Sequence, residues 1–250
     1  MPGIYLCEEL SGWGWYSLTV DADPDLDAPD LPSIAADDSG LMVVWRAGPA
    51  GDRSVYSWTG FYTRRAVAGS AYDSAETNSL DPAVCAVGAA GFVVGYTAYL
   101  RGGFPPPPPE VRVRYAPEYG TWSTAQAASD NADPDVEWDA FIQPASDGTY
   151  VVVVWEATDI TPTSATLAVA RIATACARDL PAAAWSVSEP LDPGTARNTS
   201  YPTVAVVNGI VYAAWIELDP PSQPTKGALP PYIQYREGRL VPTASRVPIP

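Results

Sequence analysis

The apolar positions of this chain fall into short runs with one recurring order. A proline leads into a strand-length run of alternating or near-continuous apolar residues. A turn bearing glycine follows, and a second apolar run ends on a large aromatic. The order occurs as Pro32 with SIAADDSGLMVVW, Pro82 with AVCAVGAAGFVVGY, Pro134 with DVEWDAFIQPASDGTYVVVVW and Pro202 with TVAVVNGIVYAAW. Runs of this length, closed by glycine-bearing turns, predict antiparallel hairpins. A third strand is predicted after each hairpin, over Ser54–Trp58, Val111–Tyr115, Thr166–Arg171 and 232–236. Fourth strands are expected within 61–67, after the turn EYGTWS at 118–123, near Trp185–Val187 and at 239–243. Ahead of the first unit, IYLCE at 4–8 and WYSLTV at 15–20 read as two more strands joined by LSGWG. No stretch keeps a helical period.

The unit starts at 32, 82, 134 and 202 lie 50, 52 and 68 residues apart. A period of about 40–50 residues with four strands per unit is the signature of propeller blades. The expected fold is therefore all-β: a β-propeller of four-stranded blades occupying residues 1–250 as a single domain. Its units would be 32–81, 82–133, 134–201 and 202–250, plus an N-terminal half blade over about 1–31. Counting that half blade as an incomplete fifth makes the ring five-bladed. Two segments interrupt the pattern. The prolines of GGFPPPPPE cannot join a sheet ladder and predict an exposed polyproline loop. The Ala-rich stretch IATACARDLPAAA leaves room for one short helical turn.

Composition narrows the function. Of 250 residues, 47% are apolar and 17% charged, which is globular and not disordered. No apolar run approaches the roughly 18 residues of a membrane helix, and the start MPGIYLCEEL lacks a signal-peptide pattern. A net charge of −15 repels nucleic acid and anionic membranes, so neither is expected as a partner. Histidine is absent, which excludes a Ser-His-Asp triad, a Cys-His pair and a His-ligated metal. Three cysteines without C-x-x-C spacing speak against zinc, and Cys85 within AVCAV reads as a small buried apolar residue.

Carboxylates and aromatics are the remaining chemistry. On an extended strand Asp135, Glu137 and Asp139 share one face, where they could act with Asp81 or Glu156 as acid and base in glycoside cleavage. The opposing reading is plain solvation, because the matching positions of the other units are Ser33, Ala83 and Thr203. Asp21, Asp23 and Asp25 alternate in an acidic linker. They leave calcium open as a ligand, although Leu26 stands where an EF-hand loop needs glycine. No other cofactor is expected. Trp45, Tyr96, Trp155 and Trp215 each end a second strand and are expected to pack between blades. Trp13, Trp58, Trp138, Tyr99, Tyr119 and Tyr201 break that pattern and are the candidates for stacking on a sugar or binding a protein surface.

The phrases DPAVCAVGAAGFVVGY and YPTVAVVNGIVYAAW, each followed by a strand such as VRVRY or YIQYR and a turn into tryptophan, resemble sialidase-type (BNR, or Asp-box) propeller repeats. That resemblance covers nearly the whole chain. It implies a propeller and an extracellular or particle-surface setting. It does not carry sialidase chemistry: PEYGTW at 117–122 and LSGWGW at 10–15 lack the Ser-x-Asp spacing, no Arg-Ile-Pro occurs, and the arginines are scattered. Five-bladed glycosidases, which place acids on the inner strands of several blades, are a second resemblance, from which this chain departs by clustering its acids in one unit. The function expected is a non-catalytic propeller that recognises carbohydrate through loop aromatics and acids. A five-bladed carboxylate-dependent glycoside hydrolase is the alternative. A structural subunit of a larger assembly or oligomer, with blade edges and the polyproline loop as contacts, is the third reading.

Overall fold

Strands form where the apolar alternation ends in a glycine turn, and each pairs with its sequence neighbour. A computed structural model describes residues 4–10, 14–21, 29–38, 40–59, 65–69, 73–89, 91–102, 107–117, 122–129, 137–159, 168–182, 184–191, 198–218 and 232–240. At 5–10, 14–21, 65, 137–138, 159, 168–169, 198, 218 and 232 only the backbone is described. The first sheet is the hairpin β1 (Ile4–Leu10) and β2 (Gly14–Asp21). Blade one holds β3 (Asp30–Asp37), β4 (Gly40–Ala47), β5 (Ser54–Thr59) and β6 (Arg65–Ala68). Blade two holds β7 (Glu76–Ala86), β8 (Phe92–Leu100), β9 (Glu110–Ala116) and β10 (Gln126–Ala127). Blade three holds β11 (Glu137–Ser146), β12 (Tyr150–Asp159), β13 (Ala168–Cys176) and β14 (Glu189–Pro190). In blade four the described residues form β15 (Asn198–Val207), β16 (Ile210–Leu218) and β17 (Tyr232–Arg239). Every pairing is antiparallel and follows chain order.

The sheets bury their flat faces against one another. Met42 and Val44 of blade one meet Val84, Phe92, Val94 and Tyr96 of blade two. The other face of blade two, with Val93 and Val113, meets Val151, Val153 and Trp155 of blade three. Val152 and Val154 on the reverse of blade three meet Val211, Ala213 and Trp215 of blade four. Each second-strand aromatic thus faces the blade before it, and Trp45 completes the rule by packing against Ile4 of β1. Trp45, Tyr96, Trp155 and Trp215 are at most 4% exposed, so the expectation of inter-blade packing holds. Face-to-face stacking of twisted sheets brings the inner strands β3, β7, β11 and β15 alongside one another in sequence. The second strand of blade two also approaches the inner strand of blade three: a Cβ at Gly95 of β8 would stand 2.6 Å from Cγ2 of Ile142 on β11. Successive sheets with inner strands gathered side by side make this all-β chain a propeller.

Several expectations shift in detail. The third inner strand begins at Glu137 and skips register between Ala140 and Gln143, so Ile142 stands where Pro32, Pro82 and Pro202 stand in the other blades. Equivalent positions are therefore 32, 82, 142 and 202; Pro134 lies outside the described residues. No proline marks Ile142, which is why the sequence pattern placed that start too early. The fourth strand of blade three is Glu189–Pro190 instead of Trp185–Val187, and the Ala-rich stretch carries the anticipated helical turn at Ala177–Asp179. The expected strand at 239–243 falls outside the described residues beyond Leu240. Of the polyproline loop, Pro107 and Pro108 are half-buried and Pro109 is buried, so this end of the loop is not the exposed spacer expected. Cys85 is buried among apolar side chains, which pushes its thiol up to about 12.

Candidate functional site

The four inner strands share one irregularity. Their register with the second strand skips two residues between Asp30 and Ser33, Leu80 and Ala83, Ala140 and Gln143, and Ser200 and Thr203. The first residue of each skipped pair has a left-handed backbone: φ is 49° at Leu31, 50° at Asp81, 53° at Phe141 and 53° at Tyr201. For a residue with a Cβ that conformation costs about 1–2 kcal/mol. In three blades the second residue is proline, which has no N–H to give to the ladder and so suits a bulge. The same position carries this conformation in all four blades.

The four bulges surround one cavity of about 530 Å³ at the mouth of the inner strands, lined by Leu31, Asp81, Phe141, Tyr201 and the residues that follow each. Leu31, Phe141 and Tyr201 are 45%, 39% and 57% exposed, unusual for large apolar side chains beside a core. The rings of Phe141 and Tyr201 lie 4.6 Å apart at 49°, forming an open aromatic pair.

Charge enters through two carboxylates. Asp81 accepts the Phe141 N–H at Oδ2 (3.4 Å), and its Oδ1 lies 3.9 Å from Nη1 of Arg46. Arg46 is itself held by Asp30 in a two-point pair, Nε to Oδ1 and Nη2 to Oδ2, both 2.7 Å. Arg53 adds a third bond to Asp30 at 2.8 Å. The hydrogen-bonded Arg46 guanidinium holds the Asp30 carboxyl below its ordinary range, against the opposing effect of burial. Glu156 on β12 accepts the Tyr201 N–H at 3.3 Å. Burial pushes its carboxyl up, and the charge of Asp81 acts in the same direction; hydrogen bonds from Tyr201 and Ser200 offset part of this. Asp81 also borders a second cavity of about 350 Å³ with Thr97, Tyr99 and Thr158. There burial first, and Asp81 second, push the Tyr99 hydroxyl up.

The structure thus gathers Asp81, Glu156, Tyr201 and Tyr99 at or beside one mouth. Asp139 is only 2% exposed; it accepts the Trp155 indole N–H at 3.0 Å, and its carbonyl accepts the Thr97 hydroxyl at 3.1 Å. Its carboxylate ties blade-three strands together, and the residue also lines the second cavity beside Asp81 and Tyr99. Trp58 packs half-buried with Val43 and Trp45 and is not among the residues that line the mouth. Glu137 and Trp138 are described only as backbone positions opposite Asp159 and Thr158. Asp135, Trp13, Tyr119, Asp23 and Asp25 lie outside the described residues, as does the side chain of Asp21. Among the described residues no three carboxylates or thiols are grouped to hold a metal ion. Leu31 and Phe141 were missed in the sequence. For Leu31 the available signal was the residue preceding each repeat proline; for Phe141 that proline is absent.

No protein-family model matches the chain, and no curated protein matches it. Solved structures do match in fold. An α-L-arabinanase of Penicillium chrysogenum, complexed with arabinobiose, superposes with TM-score 0.54 at 11% identity, over 86% of this chain and 70% of that one. An α-L-arabinofuranosidase of Lactobacillus brevis gives 0.50 at 10% identity, over 88% and 78%. The endosialidase of phage phi92 gives 0.51 at 12% identity, over 91% of this chain and 39% of that one. The chain also spans only 63% and 51% of two neuraminidase-like proteins of bat isolates, at TM-scores of 0.47. At these identities the likeness is one of fold, and the fold is a β-propeller.

Proposed function

We propose that this propeller binds a neutral carbohydrate in the mouth of its inner strands. The observation that carries the reading is the convergence of four strained bulge residues on one cavity, two of them an exposed aromatic pair. A sugar ring offers an apolar face that stacks on Phe141 and Tyr201, while its hydroxyls donate to Asp81 and Glu156. Propellers that act on carbohydrate are among the structures of like fold, including one complexed with arabinobiose, which supports the ligand class. Titrating a panel of neutral oligosaccharides tests it. A hit with wild type should weaken at least about tenfold in Tyr201→Ala, a loss of about 1.4 kcal/mol. An unchanged affinity in Tyr201→Ala removes the mouth as the site.

A second reading is favoured by one observation, the raised carboxyl of Glu156 beside Asp81. A carboxyl pushed up by burial, with a second carboxyl beside it, is the kind of pair from which glycoside hydrolysis draws its acid and its base. Glu156 would protonate the leaving oxygen, and Asp81 would act on the opposite side of the bond. Turnover of aryl glycosides by wild type, abolished in Glu156→Gln, is the expected sign of an enzyme. Binding without turnover leaves the non-catalytic reading in place.

A further inference from the structure

Two positions past each bulge residue the inner strands carry Ser33, Ala83, Gln143 and Thr203. Blades one and two use that position for packing. Ser33 accepts the Val84 N–H of blade two at Oγ (3.2 Å), and Ala83 is 3% exposed with no polar group to offer. Blades three and four leave it open: Gln143 and Thr203 are exposed and line the mouth cavity. Among the described residues neither side chain has a hydrogen-bond partner. Their backbones are nevertheless fixed, because the ladder resumes at these residues, Gln143 opposite Val154 and Thr203 opposite Ala214. The same two blades carry the aromatic pair, Phe141 and Tyr201, at the bulge itself. One half of the mouth thus joins stacking rings to polar groups that the fold does not use. The other half presents Leu31 and Asp81.

The polar groups of the mouth differ in what they can do. When ionised, Asp81 and Glu156 only accept, and each already holds a backbone N–H, from Phe141 and Tyr201 respectively. A sugar hydroxyl both donates and accepts, so a carboxylate answers one half of its chemistry. The Gln143 amide presents a donor and an acceptor side by side, and the Thr203 hydroxyl does both from one atom. Two neighbouring ring hydroxyls match the amide, one accepting from its NH2 and the other donating to its oxygen. We propose that Gln143 is the specificity-determining residue of the mouth, a role that rests on the carbohydrate reading of that mouth. With Thr203 it reads two neighbouring hydroxyls on the edge of a neutral sugar ring stacked on Phe141 and Tyr201. Inverting either hydroxyl carries it away from its partner and leaves one end of the amide unanswered. Gln143 is exposed, so water replaces the missing partner, and the discrimination expected is about tenfold, far below that of a buried site.

The experiment is an NMR titration of the protein with the methyl glycosides of glucose, galactose, mannose and arabinose, and with the deoxy forms of the tightest binder. Wild type should prefer one sugar over its epimers by about tenfold. Gln143→Ala should bind the same epimers within about threefold of one another, and its residual binding should still disappear in combination with Tyr201→Ala. Gln143→Glu keeps the size and the acceptor but loses the donor, so it should lose the preference as well. One deoxy sugar, lacking a hydroxyl that Gln143 reads, should bind wild type and Gln143→Ala equally, and Thr203→Val should weaken the preferred sugar most. Because Gln143 is exposed, the melting temperatures of its variants should stay at the wild-type value. Tyr201-dependent binding with equal affinity for all epimers, or a preference that survives in Gln143→Ala, would overturn the role of Gln143 and leave the mouth as the site. An equal loss for every sugar in Gln143→Ala, deoxy forms included, would also overturn it. Absence of any Tyr201-dependent binding would remove the carbohydrate reading and this role together.

Discussion

Within each second strand the chain places Trp45, Tyr96, Trp155 or Trp215, while at each inner-strand bulge it places Leu31, Asp81, Phe141 or Tyr201. The first set is uniform in chemistry and buried, each ring filling the space against the preceding sheet. The second set holds one aliphatic, one acid and two aromatics, and it lines a cavity. Both sets recur once per blade, so repetition alone does not distinguish them. The difference lies in what fixes each position. Packing fixes the aromatics, and packing density tolerates little change of shape. The bulge is fixed by its backbone, a register skip next to a proline in three blades of four, so the side chain is free to diversify. Variable side chains on a constant backbone are how a repeat fold builds a site.

The largest effect should come from the buried set. Trp155→Ala is expected to cost about 3–5 kcal/mol, from the cavity left and the loss of the indole donor to Asp139. Urea denaturation measures it, and a cost under about 1 kcal/mol would mean that the inter-sheet contact is loose. Tyr201→Ala at the bulge should change stability by no more than about 0.5 kcal/mol, since the ring is 57% exposed, while removing most of the ligand affinity. Equal losses of stability and affinity would merge the two sets.

Smaller effects sharpen the backbone side of the comparison. Leu31→Gly removes a left-handed strain of about 1–2 kcal/mol but frees the unfolded chain, so neutrality to a gain of about 1 kcal/mol is expected. Thermal unfolding decides this, and a loss beyond about 1 kcal/mol would show that the Leu31 side chain holds the bulge. The pH responses of Asp30 and Glu156 should be smaller and opposite. Asp30 is held low by Arg46, so its stabilisation is present above the ordinary carboxylate value and is lost as pH falls through the lower folded value. With its side chain 38% exposed, the pair is worth at most about 1 kcal/mol, and Asp30→Asn should flatten the acid limb of stability against pH. Glu156 is pushed up by burial, so its contribution is present at acid pH and lost as pH rises through the raised value. Glu156→Gln should therefore raise stability at neutral pH, and an acid limb unchanged by both variants would count against these assignments.

The propeller was legible in the sequence because its determinants are local. Strand alternation, glycine turns and the terminal aromatic each lie within a dozen residues, and the four second-strand rings were assigned to blade packing from repetition alone. The site was legible in part. Asp81 and Tyr201 stand directly before repeat prolines, so their place in the unit is written in the chain. Phe141 has no following proline, and the apolar run of its strand hides a bulge that only pairing with β12 reveals. For Asp139, alternation gives the face of the side chain but not what lies across it, here the Trp155 indole. The Arg46–Asp30 pair bridges strands β3 and β4 across the sheet, a proximity no local pattern encodes.

The most direct test of a ligand site at the mouth is to record aromatic NMR spectra of the protein, with Phe141 and Tyr201 assigned by substitution, while titrating neutral oligosaccharides. Ring resonances of both residues should shift together and saturate with the same affinity, while those of Trp45, Trp155 and Trp215 stay in place. Shifts confined to other aromatics, or binding that leaves Phe141 and Tyr201 unmoved, would place the ligand elsewhere on the propeller.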